Sequence, residues 1–247
     1  MSSLNFAHRG FSSQFPENTM LAFEKAVEAG ADGIELDVQL TRDKEVVIFH
    51  DDTLERLTNG TGTLRNFTLA ELQQLSIGSQ KCEEVLGQQI PTLREYLNWV
   101  SDTELLTNIE LKTASGDPTG LEQKVLELID LFNVKEKIII SSFHVENMSR
   151  VKQLDSEIQT GLLVIDCDEK TVQKALELEM DYLHPLASKL DKTVIEHINK
   201  LNLKINTWTI NEVSDLQKAN AANLYGIITD YPDRLKEIQE QSTELTH

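Results

Sequence analysis

The sequence predicts an α/β chain folded as a closed (β/α)8 barrel, and three observations predict it. Short apolar runs rich in Ile, Val and Leu recur every ~20 to 30 residues. Most are separated by stretches whose apolar residues repeat with helical period, the alternation that builds a parallel sheet from βα units. The 247 residues, 40% of them apolar, suffice to bury the core of one TIM-type barrel, so a single domain over residues 1–247 is expected.

Taken in order, the first extended run is 4–8, followed by a helix over 18–29. The second, 33–40, alternates Glu35 and Asp37 with Ile34, Leu36 and Val38, which is the period of a strand. Only Thr41 to Lys44 separate it from the next run, 45–50, too few residues for a helical crossover. Residues 45–50 therefore read as a hairpin return, and a turn centred near Asp43 and Lys44 brings His50 roughly opposite Asp37. From Asp51 to about Pro91 the rhythm breaks, with Asn59-Gly60-Thr61-Gly62 and one short helix around 69–75. This stretch, 51–91, reads as a small segment inserted on the top face after the second barrel strand. The rhythm resumes with a helix over 92–101 and a strand over 105–112. Further strands follow at 137–143, 160–165, 181–186, 204–210 and 226–230, with helices at 122–132, 145–154, 170–179, 193–201, 213–221 and 232–239. Without the hairpin return, eight strands remain for the barrel. The tail 240–247 is polar enough to fray.

Charge narrows the possible partners. With 41 acidic against 23 basic residues the formal charge is -18, which excludes the basic surface a nucleic acid requires. An anionic substrate then needs a metal ion or a few well-placed Arg and Lys residues. Cys82 and Cys167 lie far apart and in no CxxC arrangement, so neither a zinc knuckle nor a disulfide framework is expected. The chain suits a reducing compartment. The first residues lack a basic region followed by an apolar stretch, and no segment approaches ~18 apolar residues; a cytoplasmic protein without stable membrane insertion is the expectation.

The chemistry-bearing residues collect at strand ends, where barrels of this class keep their reactive groups. Glu35 and Asp37 share one face of their strand, and Asn108-Ile-Glu-Leu-Lys112 repeats the device with Glu110 and Lys112. Acids among Leu and β-branched neighbours are costly unless paired or holding a cation. Three convergent carboxylates form an oxygen set suited to a hard divalent ion, Mg²⁺ or Ca²⁺. Singly, each reads equally well as a rim acid paired with a barrel Lys or Arg. The first strand ends in Ala7-His8-Arg9-Gly10, and the hairpin delivers Phe49-His50-Asp51 to the same mouth. Two histidines across a phosphoryl group would supply the base and the acid that phosphodiester cleavage needs. A lone histidine at a strand end is also a common structural residue. Arg9 offers a planar fork for phosphate and Lys112 a second positive charge, although either also serves to balance nearby carboxylates.

With these pieces in hand, the chain resembles the glycerophosphodiester phosphodiesterase family, nearly end to end. The matching residues are His8-Arg9-Gly10 with Pro16-Glu17-Asn18-Thr19, Glu35-Leu-Asp37-Val, Val47-Ile-Phe-His50-Asp51 and Ile109-Glu110-Leu-Lys112. Ser142-Phe143, Thr207-Trp208-Thr209-Ile-Asn211 and Gly226-Ile-Ile-Thr-Asp230 complete the set. The resemblance implies the barrel, His8 and His50 as the acid/base pair, and Glu35, Asp37 and Glu110 as ligands of a divalent metal. It further implies Arg9 and Lys112 near the phosphate, Trp208 lining the substrate pocket, and an insertion at 51–91 that covers the pocket. The implied reaction is hydrolysis of a small-molecule glycerophosphodiester to sn-glycerol 3-phosphate and an alcohol.

Several residues keep plainer readings. Asn18, before Thr-Met-Leu-Ala-Phe, makes a good N-cap for the first helix. Trp208, at a strand end with polar neighbours, suits a pocket wall or a core position. His144 and His184 follow or lie within strands and are candidates to face the mouth, while His197 and His247 read as surface residues. The rival functions are a lysophospholipase D-type phosphodiesterase in the same barrel and a barrel that binds without catalysis. The filled set of two histidines and three acids favours the phosphodiesterase, because the fold alone decides nothing.

Overall fold

In the computed structural model, which describes residues 2–78, 87–113 and 120–244, the strands follow the expected order. They are β1 (Leu4–His8), β2 (Gly33–Leu40), β3 (Val46–Ile48), β4 (Leu106–Leu111), β5 (Ile138–Ser142), β6 (Gln159–Val164), β7 (Tyr182–Pro185), β8 (Lys204–Thr207) and β9 (Gly226–Thr229). All except β3 are parallel, and the ladder runs β1-β9-β8-β7-β6-β5-β4-β2, with a β1 to β2 pairing that closes it into an eight-stranded barrel. The helices are α1 (Met20–Glu28), α2 (Leu69–Leu72), α3 (Leu93–Val100), α4 (Leu121–Phe132), α5 (Val145–Leu154), α6 (Glu169–Glu177), α7 (Lys192–Lys200), α8 (Val213–Asn220) and α9 (Pro232–Glu244). Capping boxes start α2 at Thr68 with Glu71, and α3 at Thr92 with Glu95. Helix α9 runs to Glu244, where the sequence predicts an end at 239. Among the described residues no helix is long and apolar enough to cross a membrane. Cys82 and His247 lie outside the described residues.

Strand alternation divides the core into layers. Ile34, Leu36, Val38 and Leu40 of β2 join the main cluster with Phe23 and Ala26 of α1 and with residues of the other helices, between barrel and helical ring. A separate cluster of Phe6, Ile139, Tyr182 and Ile228 draws on β1, β5, β7 and β9 and fills the barrel interior. Residues two positions further along these strands are polar, as His8, Ser141, His184 and Asp230 illustrate. The interior thus changes from an apolar floor to a polar mouth.

The hairpin departs from the expected register. Val38 pairs with Ile48, Gln39 with Val47 and Leu40 with Val46, and the Phe49 N–H donates to the Asp37 carbonyl at 2.9 Å. Phe49, not His50, therefore opposes Asp37. The cause is a turn centred on Asp43: Thr41 pairs with Glu45, Lys44 adopts φ +66°, and the Thr41 hydroxyl donates to Asp43 at 2.6 Å. A three-residue loop closed by a left-handed residue shifts the partner by one position. His50 leaves the ladder, and Gln39 Nε2 fixes the exit by donating to the carbonyls of Phe49 and Asp51 at 2.9 and 2.8 Å.

After the hairpin the chain makes its excursion. Val47 and Phe49 pack with Leu54, Leu64, Leu72, Ile77 and Ile90 into a small core of their own. The excursion is therefore anchored through the hairpin strand rather than laid loosely over the barrel.

Gly10 shows how tightly the first strand end is held. Its φ is +82°, and a Cβ there would stand 2.7 to 2.8 Å from the backbone and Cβ of Ala22 in α1. Gly10→Ala combines backbone strain with a clash against helix backbone, and should destabilise the fold by about 2–4 kcal/mol in denaturant unfolding. A loss under ~1 kcal/mol would show that the turn relaxes freely.

Candidate active site

Parallel pairing places Asp37 of β2 beside Glu110 of β4, and Glu35 lies two residues back on the same face as Asp37. One carboxylate oxygen from each of Glu35, Asp37 and Glu110 lies within 4.8 Å of the others, and all three residues are buried. Two cations reach this group. Lys112 Nζ stands 3.2 Å from Asp37 and 2.5 Å from Glu110, and Arg9 Nε stands 3.3 Å from Asp37. Asn18 Nδ2 donates to Asp37 at 2.8 Å.

The charges divide unevenly. Burial alone would raise Asp37, but Lys112 and then Arg9 outweigh it and hold the carboxyl at about 2. Burial, followed by repulsion from Asp37, pushes Glu110 up to about 7. Burial and the charges of Asp37 and Glu110 also raise Glu35 well above the carboxylate range. Three acids face two cations, so full ionisation would leave one carboxylate uncompensated in a low-dielectric site, and the raised Glu35 and Glu110 are the response.

His8 ends β1 in register with Glu35, and its Nε2 lies 3.9 Å from a Glu35 oxygen. Its Nδ1 is 2.6 Å from Asp230, just past β9. A carboxylate accepts only, so a neutral ring carries its proton on Nδ1 and presents Nε2 as the acceptor. Asp230 is itself held: Ser12 Oγ and Asn211 Nδ2 donate to it at 3.0 and 2.6 Å, and its own N–H donates to Asn211 Oδ1 at 3.0 Å. His50 repeats the arrangement, with Nδ1 2.7 Å from Asp51. Burial lowers the His50 imidazole, and Lys112 and Arg9 add to this against the pull of Asp37.

The turn after β1 is built to aim Arg9. Arg9 adopts φ +56°, and its N–H donates to the Glu35 carboxylate at 3.1 Å. Its guanidinium runs from Asp37 to Glu17, with Nη1 2.7 Å from Glu17 Oε1. Both expected phosphate-binding cations, Arg9 and Lys112, thus rest on carboxylates. Asn18 is not the N-cap. Thr19 caps α1 by accepting from the Ala22 N–H at 3.2 Å, while Asn18 takes φ +57° and turns its amide to Asp37. A left-handed Asn supplies local polarity at low backbone cost, and here Asp37 claims it.

A cavity of about 550 Å³ opens beside these groups and is lined by residues including His50, Asp51, Glu110, Lys112, Phe143 and His144. Trp208 is not in its lining. Its Nε1 donates to the His184 carbonyl at 2.7 Å, and its ring meets Phe143 edge-on with centroids 5.4 Å apart. His144 therefore reaches the mouth, whereas His184 does not. His184 is fully buried over Gly161, where a Cβ would come within 2.4 Å of its Nε2, and burial drives it down to about 3, an uncharged core ring. His197 is an exposed partner of Glu169. A larger cavity of about 1100 Å³ lies outside the barrel along α7 and α8, away from the acids.

Sequence reasoning assigned no role to Asp230, Asn211, Asp51 or Arg56. Asp230 carried a usable signal, since it directly follows a barrel strand and closure sets that strand beside the one ending in His8.

Known proteins resemble this chain along nearly its whole length. The model of the glycerophosphoryl diester phosphodiesterase family matches residues 8–234. A glycerophosphodiester phosphodiesterase of Caldanaerobacter subterraneus subsp. tengcongensis is 39% identical over 235 residues, covering 95% of this chain and 97% of the relative. One from Bacillus altitudinis is 34% identical over 239 residues, covering 96% and 98%. Among solved structures, an Oleispira antarctica phosphodiesterase in complex with the product sn-glycerol-3-phosphate aligns with TM-score 0.91 and 31% identity over 97% of each chain.

The Asp230 contacts predict a pH dependence. Burial alone would raise this carboxyl, but the bonds from His8, Asn211 and Ser12 outweigh it and hold it below its ordinary 3.8. A depressed folded-state value adds stability that is present above 3.8 and lost as pH falls through the lowered value. Asp230→Asn should therefore lower Tm at pH 7, with the deficit shrinking as pH drops below 4. A deficit that stays constant over pH 3–7 would contradict this account of Asp230.

Proposed function

This chain belongs to the glycerophosphoryl diester phosphodiesterase family and is a phosphoric diester hydrolase acting on glycerophosphodiesters, and we propose that it does so with a divalent metal and a His8/His50 acid/base pair. The observation that carries the proposal is the convergence of Glu35, Asp37 and Glu110, with His8 Nε2 at their edge. The donor set fits a divalent ion. It is all oxygen, it has one carboxylate more than its cations, and Asp37 Oδ1, though 3.2 Å from Lys112 Nζ, accepts no well-aligned hydrogen bond.

In this reading Glu35, Asp37 and Glu110 hold Mg²⁺ or Ca²⁺, which when bound would counter charge on the phosphate. Arg9 and Lys112 would swing part of their charge from the carboxylates to the phosphate oxygens, and so orient the diester. One imidazole Nε2 takes the proton of the attacking hydroxyl, and the other gives a proton to the leaving alcohol. Attack by water needs these two transfers once. Attack by the glycerol 2-hydroxyl expels the alcohol to leave a cyclic phosphate, and water then opens its P–O2 bond with the two histidines exchanging roles, one taking the proton of water and the other returning one to O2. Asp51 and Asp230 keep each ring in the required tautomer. Phe143, backed edge-on by Trp208, would border the alcohol side. The proposal takes residues 1–247 as one barrel domain with 51–91 inserted above its mouth, and the substrate as a small glycerophosphodiester.

One observation favours a second reading, a lysophospholipid substrate. Phe143, which lines the cavity, is 39% exposed and adds apolar surface to the mouth.

The test is release of glycerol 3-phosphate from glycerophosphocholine and glycerophosphoethanolamine, with EDTA and with Mg²⁺, Ca²⁺ or Mn²⁺ restored. The expected result is EDTA-sensitive release rescued by metal; undiminished release in EDTA would overturn the metal. Release of choline and lysophosphatidic acid from lysophosphatidylcholine, with neither glycerophosphodiester turned over, would select the second reading. His8→Ala and His50→Ala should each cut kcat by about 10²–10⁴ with folding and metal binding retained. Full activity in either refutes the pair. Glu35→Ala, Asp37→Ala and Glu110→Ala should each weaken metal affinity in a calorimetric titration, and an unchanged isotherm would remove that residue from the ligand set.

A further inference from the structure

The His50 to Asp51 contact poses a mechanical problem. The two residues are adjacent in sequence, lie beyond the end of β3 and are both partly exposed, so no strand pairing holds one side chain against the other. Something must clamp the Asp51 carboxylate if it is to hold the imidazole. That clamp is Arg56, in the opening turn of the excursion. Its Nε and Nη2 donate to the two oxygens of Asp51 at 2.6 and 2.8 Å. Its Nη1 and Nη2 donate to the two oxygens of Glu17 at 2.8 Å each. One planar guanidinium thus grips two carboxylates, a geometry that a lysine ammonium cannot reproduce.

Both ends of this clamp lead into the site. Glu17 Oε1 also accepts from Arg9 Nη1, and Arg9 Nε stands 3.3 Å from Asp37. The run His50, Asp51, Arg56, Glu17, Arg9, Asp37 therefore links one imidazole to the acidic trio through a residue of the excursion. Leu54, two positions before Arg56, is fully buried in the excursion core with Phe49, Leu64 and Leu72, which ties the clamp to a packed body.

We infer that Arg56 is a positioning residue for the phosphodiesterase reaction, fixing His50 through Asp51 and coupling the excursion to the barrel mouth. The inference rests on His50 acting in the reaction. Arg56 is about half exposed, so its ion pairs contribute little to stability and much to geometry. A misplacement of ~1 Å at a reacting group costs up to about 10²-fold in rate.

The experiment is steady-state kinetics on glycerophosphocholine for Arg56→Ala, Arg56→Lys, Asp51→Ala and the Arg56→Ala/Asp51→Ala double variant, beside His50→Ala. Arg56→Ala should lower kcat about 10- to 100-fold with KM within about threefold. Arg56→Lys, which keeps the charge and loses the fork, should recover less than half of that loss. The double variant should be no slower than the worse single one, because both act through one ring. Tm and metal affinity should stay near wild type. A wild-type kcat in Arg56→Ala, full rescue by lysine, additive losses, or a kcat loss matched by a collapse in Tm would each overturn the inference. If Arg56→Ala does not fold, Arg56→Gln carries the same comparison. His50→Ala at full activity would instead sink the acid/base reading beneath it, whereas an inactive His50→Ala beside an unaffected Arg56→Ala would sink this inference alone.

Discussion

Three carboxylates on two neighbouring parallel strands cannot be buried together without compensation, and much of the barrel mouth is arranged around supplying it. Asp37 is the centre of that arrangement. It receives Lys112 from its own sheet neighbour, Arg9 from the turn after β1 and the Asn18 amide from the loop before α1. Each partner imposes a local requirement. Arg9 and Asn18 both take left-handed backbone, and Gly10 must be glycine because α1 passes too close for a side chain. Burial and mutual repulsion favour the protonated forms of Glu35 and Glu110, the response expected where three acids share one buried face with only two cations.

The apolar floor beneath the mouth sets the strength of these effects. Phe6, Ile139, Tyr182 and Ile228 fill the barrel below the acids and keep bulk water from that side. Charges above such a floor interact more strongly than they would at an open surface. His184, held uncharged in the same interior, shows how severe the environment is one layer down.

Two histidines end up under the same control by different routes. His8 stands at the end of a barrel strand, and its carboxylate partner comes from the ninth strand, its neighbour around the closed ring. His50 stands beyond the hairpin, where the barrel gives no neighbouring strand end. Its partner is the next residue, and the excursion supplies the support that barrel closure supplies to His8. The excursion therefore holds the Asp51 carboxylate as well as lining part of the cavity.

By itself the sequence determined the eight βα units, the hairpin and the excursion, and it marked His8, His50, Glu35, Asp37 and Glu110. The reason is that strand and helix periods are local, and period 2 puts Glu35 with Asp37, and Glu110 with Lys112, on common faces whatever the rest of the chain does. Only the tertiary structure decided which groups those faces meet. His8 and Asp230 are 222 residues apart, Arg56 and Glu17 are 39 apart, and no local pattern encodes such contacts. Finer geometry escaped for the same reason. A turn centred on Asp43 rather than between Asp43 and Lys44 put Phe49 opposite Asp37, and the demand of a buried carboxylate for a donor turned Asn18 from a cap into a ligand of Asp37. Periodicity gives each side chain a face, while register, closure and charge compensation give it a partner.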